Sequence, residues 1–194
     1  MAGARQLEYS RIVQETTWGT DPGSGYTGVA VDSWGVEQEN TVSVRNKATG
    51  VVDSVNVDVT SQLLRGSSEW EVHPDTATLL LKTIPGIPRV TVGTQTEWIN
   101  SFTFAFRDFA FNKYYRHLGL MCDQMRLSAA GLDGELRAAI DWIGKFEEEI
   151  SSFTQPSTPD QASFQMKHLG TTGFTMSGTN EPNMESFEIA IPNN

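Results

Sequence analysis

Apolar residues recur two apart along most of this chain, with polar residues between them. Val29 and Val31, Val42 and Val44, Val55, Val57 and Val59, Trp70 and Val72, Phe102, Phe104 and Phe106, then Phe187, Ile189 and Ile191 all keep that spacing. A period of two sends alternate side chains to opposite faces, so these runs predict half-buried β-strands from one end of the chain to the other. Between them, turn clusters at residues 20–25 (TDPGSG) and 154–160 (TQPSTPD) place proline and glycine where pairing cannot continue. The most informative pattern covers residues 114–145. Met121, Met125, Leu127 and Ala129 fall on one parity, and Leu136, Ala138, Ile140 and Trp142 repeat the beat. Gly131, Leu132, Asp133 and Gly134 lie between and supply two glycines able to take positive φ, which makes the segment a hairpin.

A single helix is expected. Asp75 follows His73 and Pro74 and can cap a run over residues 76–84, where Leu79, Leu80 and Ile84 form an apolar stripe and Pro85 and Gly86 stop it. Its threonines weaken the intrinsic propensity, so burial of the leucines must hold it. Residues 112–121 read as strand, because Gly119 interrupts any helix there. The fold class is therefore mainly β, an antiparallel β-sandwich or barrel with one flanking α-helix, in a single domain over residues 1–194.

Composition narrows the function. A chain of 194 residues can bury a core without metals or disulfides. Its 14 basic and 24 acidic residues leave a formal charge of −10, which excludes a surface that holds polyphosphate tightly. The lone cysteine, Cys122, has no partner for an intramolecular disulfide and sits in a strand pattern, as a packing thiol does. No apolar run reaches membrane-span length, and the first ten residues lack the apolar core of a signal peptide, so synthesis in a cytoplasm is expected.

Catalytic and metal-binding patterns are missing from the sequence. His73, His117 and His168 fall in no ligand spacing. His117 and Cys122, five apart in one strand, should point to opposite faces and so cannot act together. Glu147, Glu148 and Glu149 read as a solvated strand end. The glycines of residues 19–28 are followed by no lysine and no helix, as a phosphate loop requires. The expectation is no enzyme, no cofactor and no metal.

Three segments resemble the tail tube proteins (major tail proteins) of bacteriophages with long non-contractile tails. In that family a strand of the form Gly, three residues, Asn or Asp, then alternating apolar residues leads through a turn to a strand ending in Ile or an aromatic, Gly, Lys. Gly119, Asp123, Met125 and Leu127, then Ile143, Gly144 and Lys145, hold those places. Near the start, Glu15, Thr16, Thr17, Trp18, Gly19, Thr20 and Pro22 match the family's opening motif, and residues 184–194 (MESFEIAIPNN) resemble its closing strand. Many relatives continue past that asparagine pair, whereas this chain stops at Asn194; a minimal version of the fold and a chain cut short are both open.

The resemblance implies a virion protein whose hexameric rings stack into a hollow tube that carries genome DNA to the host. Hairpins from six subunits would close an inner β-barrel. On that reading Asp123, Arg126, Ser128, Arg137 and Asp141 are the candidates for the wet, lumen-facing side of the hairpin. Residues 45–65 exceed most loops in compact domains and would reach the next ring, placing Arg45, Lys47, Asp53, Asp58 and Arg65 in contacts between subunits. An ordinary hairpin on the monomer's own sheet, favoured by the Val55, Val57 and Val59 beat, is the alternative. The implied partners are further copies of the chain, a tape measure protein, and terminator and tip proteins, with DNA passing through without specific binding and no membrane insertion. An acidic wall would repel phosphate and let DNA slide; the same charge could simply keep the monomer soluble. Rival readings are a terminator or adaptor of the same fold at the tube end, and an acidic β-sandwich that binds carbohydrate through its tryptophans.

Overall fold

The computed structural model describes residues 7–46, 55–84, 90–92, 95–97, 100–130, 135–154, 175–176, 179–180 and 186–192. In chain order the elements are β1 (Leu7–Gln14), β2 (Thr27–Val29), β3 (Ser33–Trp34), β4 (Glu37–Asn46), β5 (Val55–Glu71), α1 (Pro74–Thr83), β6 (Val90–Val92), β7 (Gln95–Glu97), β8 (Phe102–Asp108), β9 (Lys113–Ala130), β10 (Arg137–Gly144), β11 (Phe146–Ile150), β12 (Thr175–Met176), β13 (Thr179–Asn180) and β14 (Ser186–Pro192). Every alternating run named from the sequence contributes to a strand. The fold is mainly β with one helix, and ten strands join one antiparallel sheet.

That sheet is bent, and β9 belongs to both of its halves. The early residues of β9 pair with β8 on one side and β11 on the other, giving a first half in the order β2, β1, β8, β9, β11. Its later residues pair with β14 and β10, giving a second half in the order β14, β9, β10, β5, with β3 and β4 along the far side of β5. The two halves face each other as a sandwich. Among the described residues the sheet stays open and does not close into a barrel, which leaves the sandwich form of the expectation.

Aromatic residues fill the space between the halves. Trp34 from β3 stacks on Phe104 from β8 with ring centroids 3.8 Å apart, and Trp70, Phe106, His117 and Trp142 crowd around the pair. The indole N–H groups of Trp70 and Trp142 both donate to the buried hydroxyl of Ser68, so neither is left unpaired in the core. The triplet Phe102, Phe104 and Phe106 is fully buried, as its spacing predicts.

Two sequence expectations need correction. The cap of α1 is His73, and Asp75 lies inside the first turn. Pro74 explains the difference: its fixed φ suits the first helical position, where its missing N–H costs nothing, and the Thr76 hydroxyl accepts the His73 N–H at 3.3 Å. The hairpin parity also breaks. A β-bulge makes Trp142 oppose Cys122 while Asp141 opposes Gln124, leaving Asp123 as the extra residue. Cys122 and Met125 are therefore buried, whereas Met121 is only half-buried.

The bend in β9 is held at Gly119, whose φ is +70°. The carboxylate of Glu15, 2% exposed, accepts the Gly119 N–H at 2.8 Å, the Thr103 hydroxyl at 2.7 Å and the Gly19 N–H at 2.7 Å. Trp18 completes the corner by donating its indole N–H to the Gly119 carbonyl at 3.1 Å. One buried acid thus ties the ends of β1, β8 and the bend of β9 to the loop after β1. This gives Glu15, Trp18 and Gly19 of the opening motif a physical role.

The turn after that corner hangs on Asp21. Its Oδ1 accepts the Tyr26 hydroxyl at 2.6 Å and the Gly23 N–H at 2.8 Å, and its Oδ2 pairs with Arg116. Burial pushes the carboxyl upward, but the hydrogen bonds from Tyr26 and Gly23 and the charge of Arg116 outweigh it and hold Asp21 below the usual carboxylate range. A depressed folded-state value adds stability that is complete above the unfolded value of about 3.9 and disappears as pH falls through the folded one. Urea midpoints of wild type and Asp21→Asn should therefore differ at pH 6 and converge on acidification below pH 4; a gap that stays constant down to pH 2 would refute this account.

Candidate functional site

The second half of the sheet turns one face to the core, and among the described residues no element covers the other. Along β10, Ala138, Ile140, Trp142 and Gly144 point inward, which turns Arg137, Ala139, Asp141 and Ile143 outward. In β9 the residues facing that side are Gln124, Arg126 and Ser128, with the bulged Asp123 beside them. All five lumen candidates therefore share one exposed face. Asp123 and Asp141 line a shallow groove with Arg65, Gly66, Ser67, Trp142 and Ile143. Arg126 lies 3.8 Å from Asp141, and Arg137 lies 3.4 Å from both Asp32 and Glu135. Ser128 sits between Arg137 of β10 and Glu188 of β14.

Sequence reasoning missed the neighbours that complete this face. Glu69 and Glu71 of β5 lie opposite Ala139 and Arg137, and Glu188 joins from β14. Only the pairing partners reveal them, since no local motif marks these glutamates. The arginines are spaced among a larger number of carboxylates, giving a face of mixed sign with an acidic excess. Exposed pairs of this kind contribute about 0–1 kcal/mol each, so they set the field at the surface more than the stability of the fold.

The second candidate set separates in the structure. Of residues 45–65, those described, 45–46 and 55–65, are strand: β4 and β5 form an antiparallel ribbon, with Arg45 opposite Asn56 and Asp58 opposite Ser43. The valine alternation on both strands explains that pairing. Lys47 and Asp53 lie outside the described residues. Arg65 lies where the ribbon joins the rest of the half-sheet, opposite Glu37 of β4 on one side and Ile143 of β10 on the other, and it also lines the groove.

The margins of this half-sheet are also informative. Among the described residues β14 pairs with β9 alone and β4 with β5 alone. Neither has a second strand partner among the described residues, and closed barrels are the arrangement that leaves no strand in that position.

No protein-family model matches this sequence, and no curated protein matches it. A chain in the cryo-EM structure of the anti-feeding prophage (AFP) baseplate, 6-fold symmetrised, is similar at a TM-score of 0.39 and 8% identity, over 77% of this chain and 95% of that chain. That likeness carries no argument. What the chain does must be read from its own residues.

Burial pushes the Cys122 thiol up to about 12, with Asp123 and Asp141 adding to the effect, so it carries no thiolate at neutral pH. His117 is fully buried, with its Nε2 2.7 Å from Glu147 and its ring edge-on to Phe106. The parity argument that separated His117 from Cys122 fails, because the irregular backbone at Gly119 lets both side chains enter the interior. Glu148 and Glu149 pair with Arg116 and Lys113, as a strand-end charge run does. No group of three His, Cys, Asp or Glu side chains among the described residues is placed to hold a metal ion, and no helix among them is long and apolar enough to cross a membrane.

Proposed function

We propose that the chain is a structural subunit of a phage tail tube, assembling into hexameric rings that stack into a conduit for genome DNA. The observation that carries this reading is the exposed face of β9 and β10, where Asp123, Arg126, Ser128, Arg137 and Asp141 stand together in a half-sheet whose margins, β14 and β4, have no second strand partner among the described residues. Side-by-side copies could pair those margins and turn the polar faces toward a common axis, making an inner barrel that no single copy forms. The ribbon of β4 and β5 would reach the next ring, with Arg45, Lys47, Asp53, Asp58 and Arg65 in the contact. The acidic excess suits a wall past which polyphosphate slides without sticking. The chain would perform no catalysis, and would meet a tape measure protein inside the tube and terminator and tip proteins at its ends.

Carbohydrate binding through tryptophans loses most of its residues, because Trp34, Trp70 and Trp142 are in the core and Trp18 alone of the described tryptophans is exposed. Light scattering and negative-stain imaging at rising protein concentration test the assembly reading. Rings or tubes are expected; single rings that never stack would favour the terminator or adaptor role, and a persistent monomer would end the proposal.

A further inference from the structure

The outer face of the first half-sheet carries a cluster of one arginine and four aromatic rings. Arg11 of β1 lies with its guanidinium carbon 3.7 Å from the centroid of Tyr26 and 4.4 Å from that of Phe153, held between two aromatic rings. Phe153 in turn meets Tyr9 and Tyr114 edge-on, each at 5.5 Å, and those two tyrosines share a hydrogen bond of 3.1 Å between their hydroxyls. Stacking on rings fixes a guanidinium in place without consuming its N–H donors.

Those donors are poorly met. The contact from Nη1 to the Thr154 carbonyl is 3.5 Å, and the buried Nε has no acceptor among the described residues. Burial lowers the Arg11 pKa more than nearby Tyr26 and Asp21 raise it, and the Asp21 oxygens are already occupied by Tyr26, Gly23 and Arg116. Other cations of this face are satisfied by carboxylates: Arg107 pairs with Glu8, Arg116 with Asp21 and Glu148, and Lys113 with Glu149. Among the described residues Arg11 has no such ion pair. It is a preordered cation on a patch rich in Tyr, Phe and Arg, the composition that dominates the energetics of protein contacts.

We infer that this patch receives a carboxylate from a second copy of the chain, with Arg11 as its anchor. The inference rests on the assembly reading above and names one of its contacts. A copy is the fitting donor because the chain holds 24 acidic against 14 basic residues. An exposed carboxylate with no ion pair among the described residues, Glu39, lies on the ribbon of the other half of the sandwich. Joining unlike patches makes a head-to-tail contact, the kind that closes rings or extends stacks.

The test measures the concentration at which assemblies form, by sedimentation velocity, for wild type, Arg11→Gln and Arg11→Lys, with circular dichroism and urea midpoints confirming a folded monomer. The Gln variant should need at least tenfold more protein to assemble. The Lys variant should fall between, since it keeps the charge but lacks the planar fork. A folded Gln variant that assembles at the wild-type concentration overturns the anchor role and leaves the tube reading standing. If Gln does not fold, the Lys variant decides, and wild-type behaviour there overturns the inference. A wild-type chain that stays monomeric removes both readings.

Discussion

Glu15→Ala should unfold this protein more readily than any single exposed substitution, lowering stability by about 3–5 kcal/mol. The carboxylate is 2% exposed and accepts hydrogen bonds from Gly19, Thr103 and Gly119. Its removal leaves those donors facing a cavity rather than water. A buried donor without an acceptor costs about 1–3 kcal/mol, which sets the scale when several are orphaned together. Glu15→Gln keeps the shape and one acceptor oxygen, so its loss should be smaller, while its amide hydrogens meet donors where the wild type offers acceptors. Urea unfolding of the two variants gives the comparison, with the midpoint order wild type, Gln, Ala. A midpoint for Ala within error of wild type would mean that the corner is held by other contacts. The same variant also reports on assembly, because the corner fixes the angle between the half-sheet that carries the polar face and the half-sheet that carries Arg11.

Gly66→Ala should be worse tolerated than its chemistry suggests, with little soluble folded protein recovered. Gly66 has φ +149°, and a Cβ there would stand 2.1 Å from the Gly35 carbonyl oxygen and 2.7 Å from the Val36 Cα. Both obstacles are backbone in the strand region that runs beside β5, so no rotamer change relieves them. Gly23 supplies the control. It has φ +75° with nothing within 4 Å of an added Cβ, so Gly23→Ala should lose only about 1–2 kcal/mol from the left-handed backbone itself. Soluble yield and urea midpoint separate the two. Equal behaviour would show that β3 and β4 can shift away from β5. Because Gly66 also lines the groove beside Asp123 and Asp141, a displacement there would reach the face proposed to line the tube.

Strand identity was legible along the chain because a period of two survives wherever one face is buried, and Phe102, Phe104 and Phe106 announce the core by that spacing alone. The helix was legible for a similar reason, although its cap was not: Asp75 is the stronger capping residue in isolation, and Pro74 at the first helical position moved the boundary to His73. Parity failed at the bulge, since a single extra residue at Asp123 inverts the assignments between it and the irregular backbone at Gly119. Lys47 and Asp53 were named as contacts and fall outside the described residues, while Arg65 proved to sit on the groove.

What the sequence determined by itself was local: alternation, turns, one helix and an acidic chain with no catalytic or metal-ligand spacing. Only the tertiary structure decided that Glu69, Glu71 and Glu188 join the face of Arg126 and Asp141, that Glu15 closes a corner with residues about a hundred positions away, and that Arg11 is held between Tyr26 and Phe153. The physical reason is that alternation tells a strand which way each side chain points but not which strand lies beside it. Neighbour choice is set by long-range pairing and by the packing of two bent half-sheets, and those terms leave no mark within a short window of sequence.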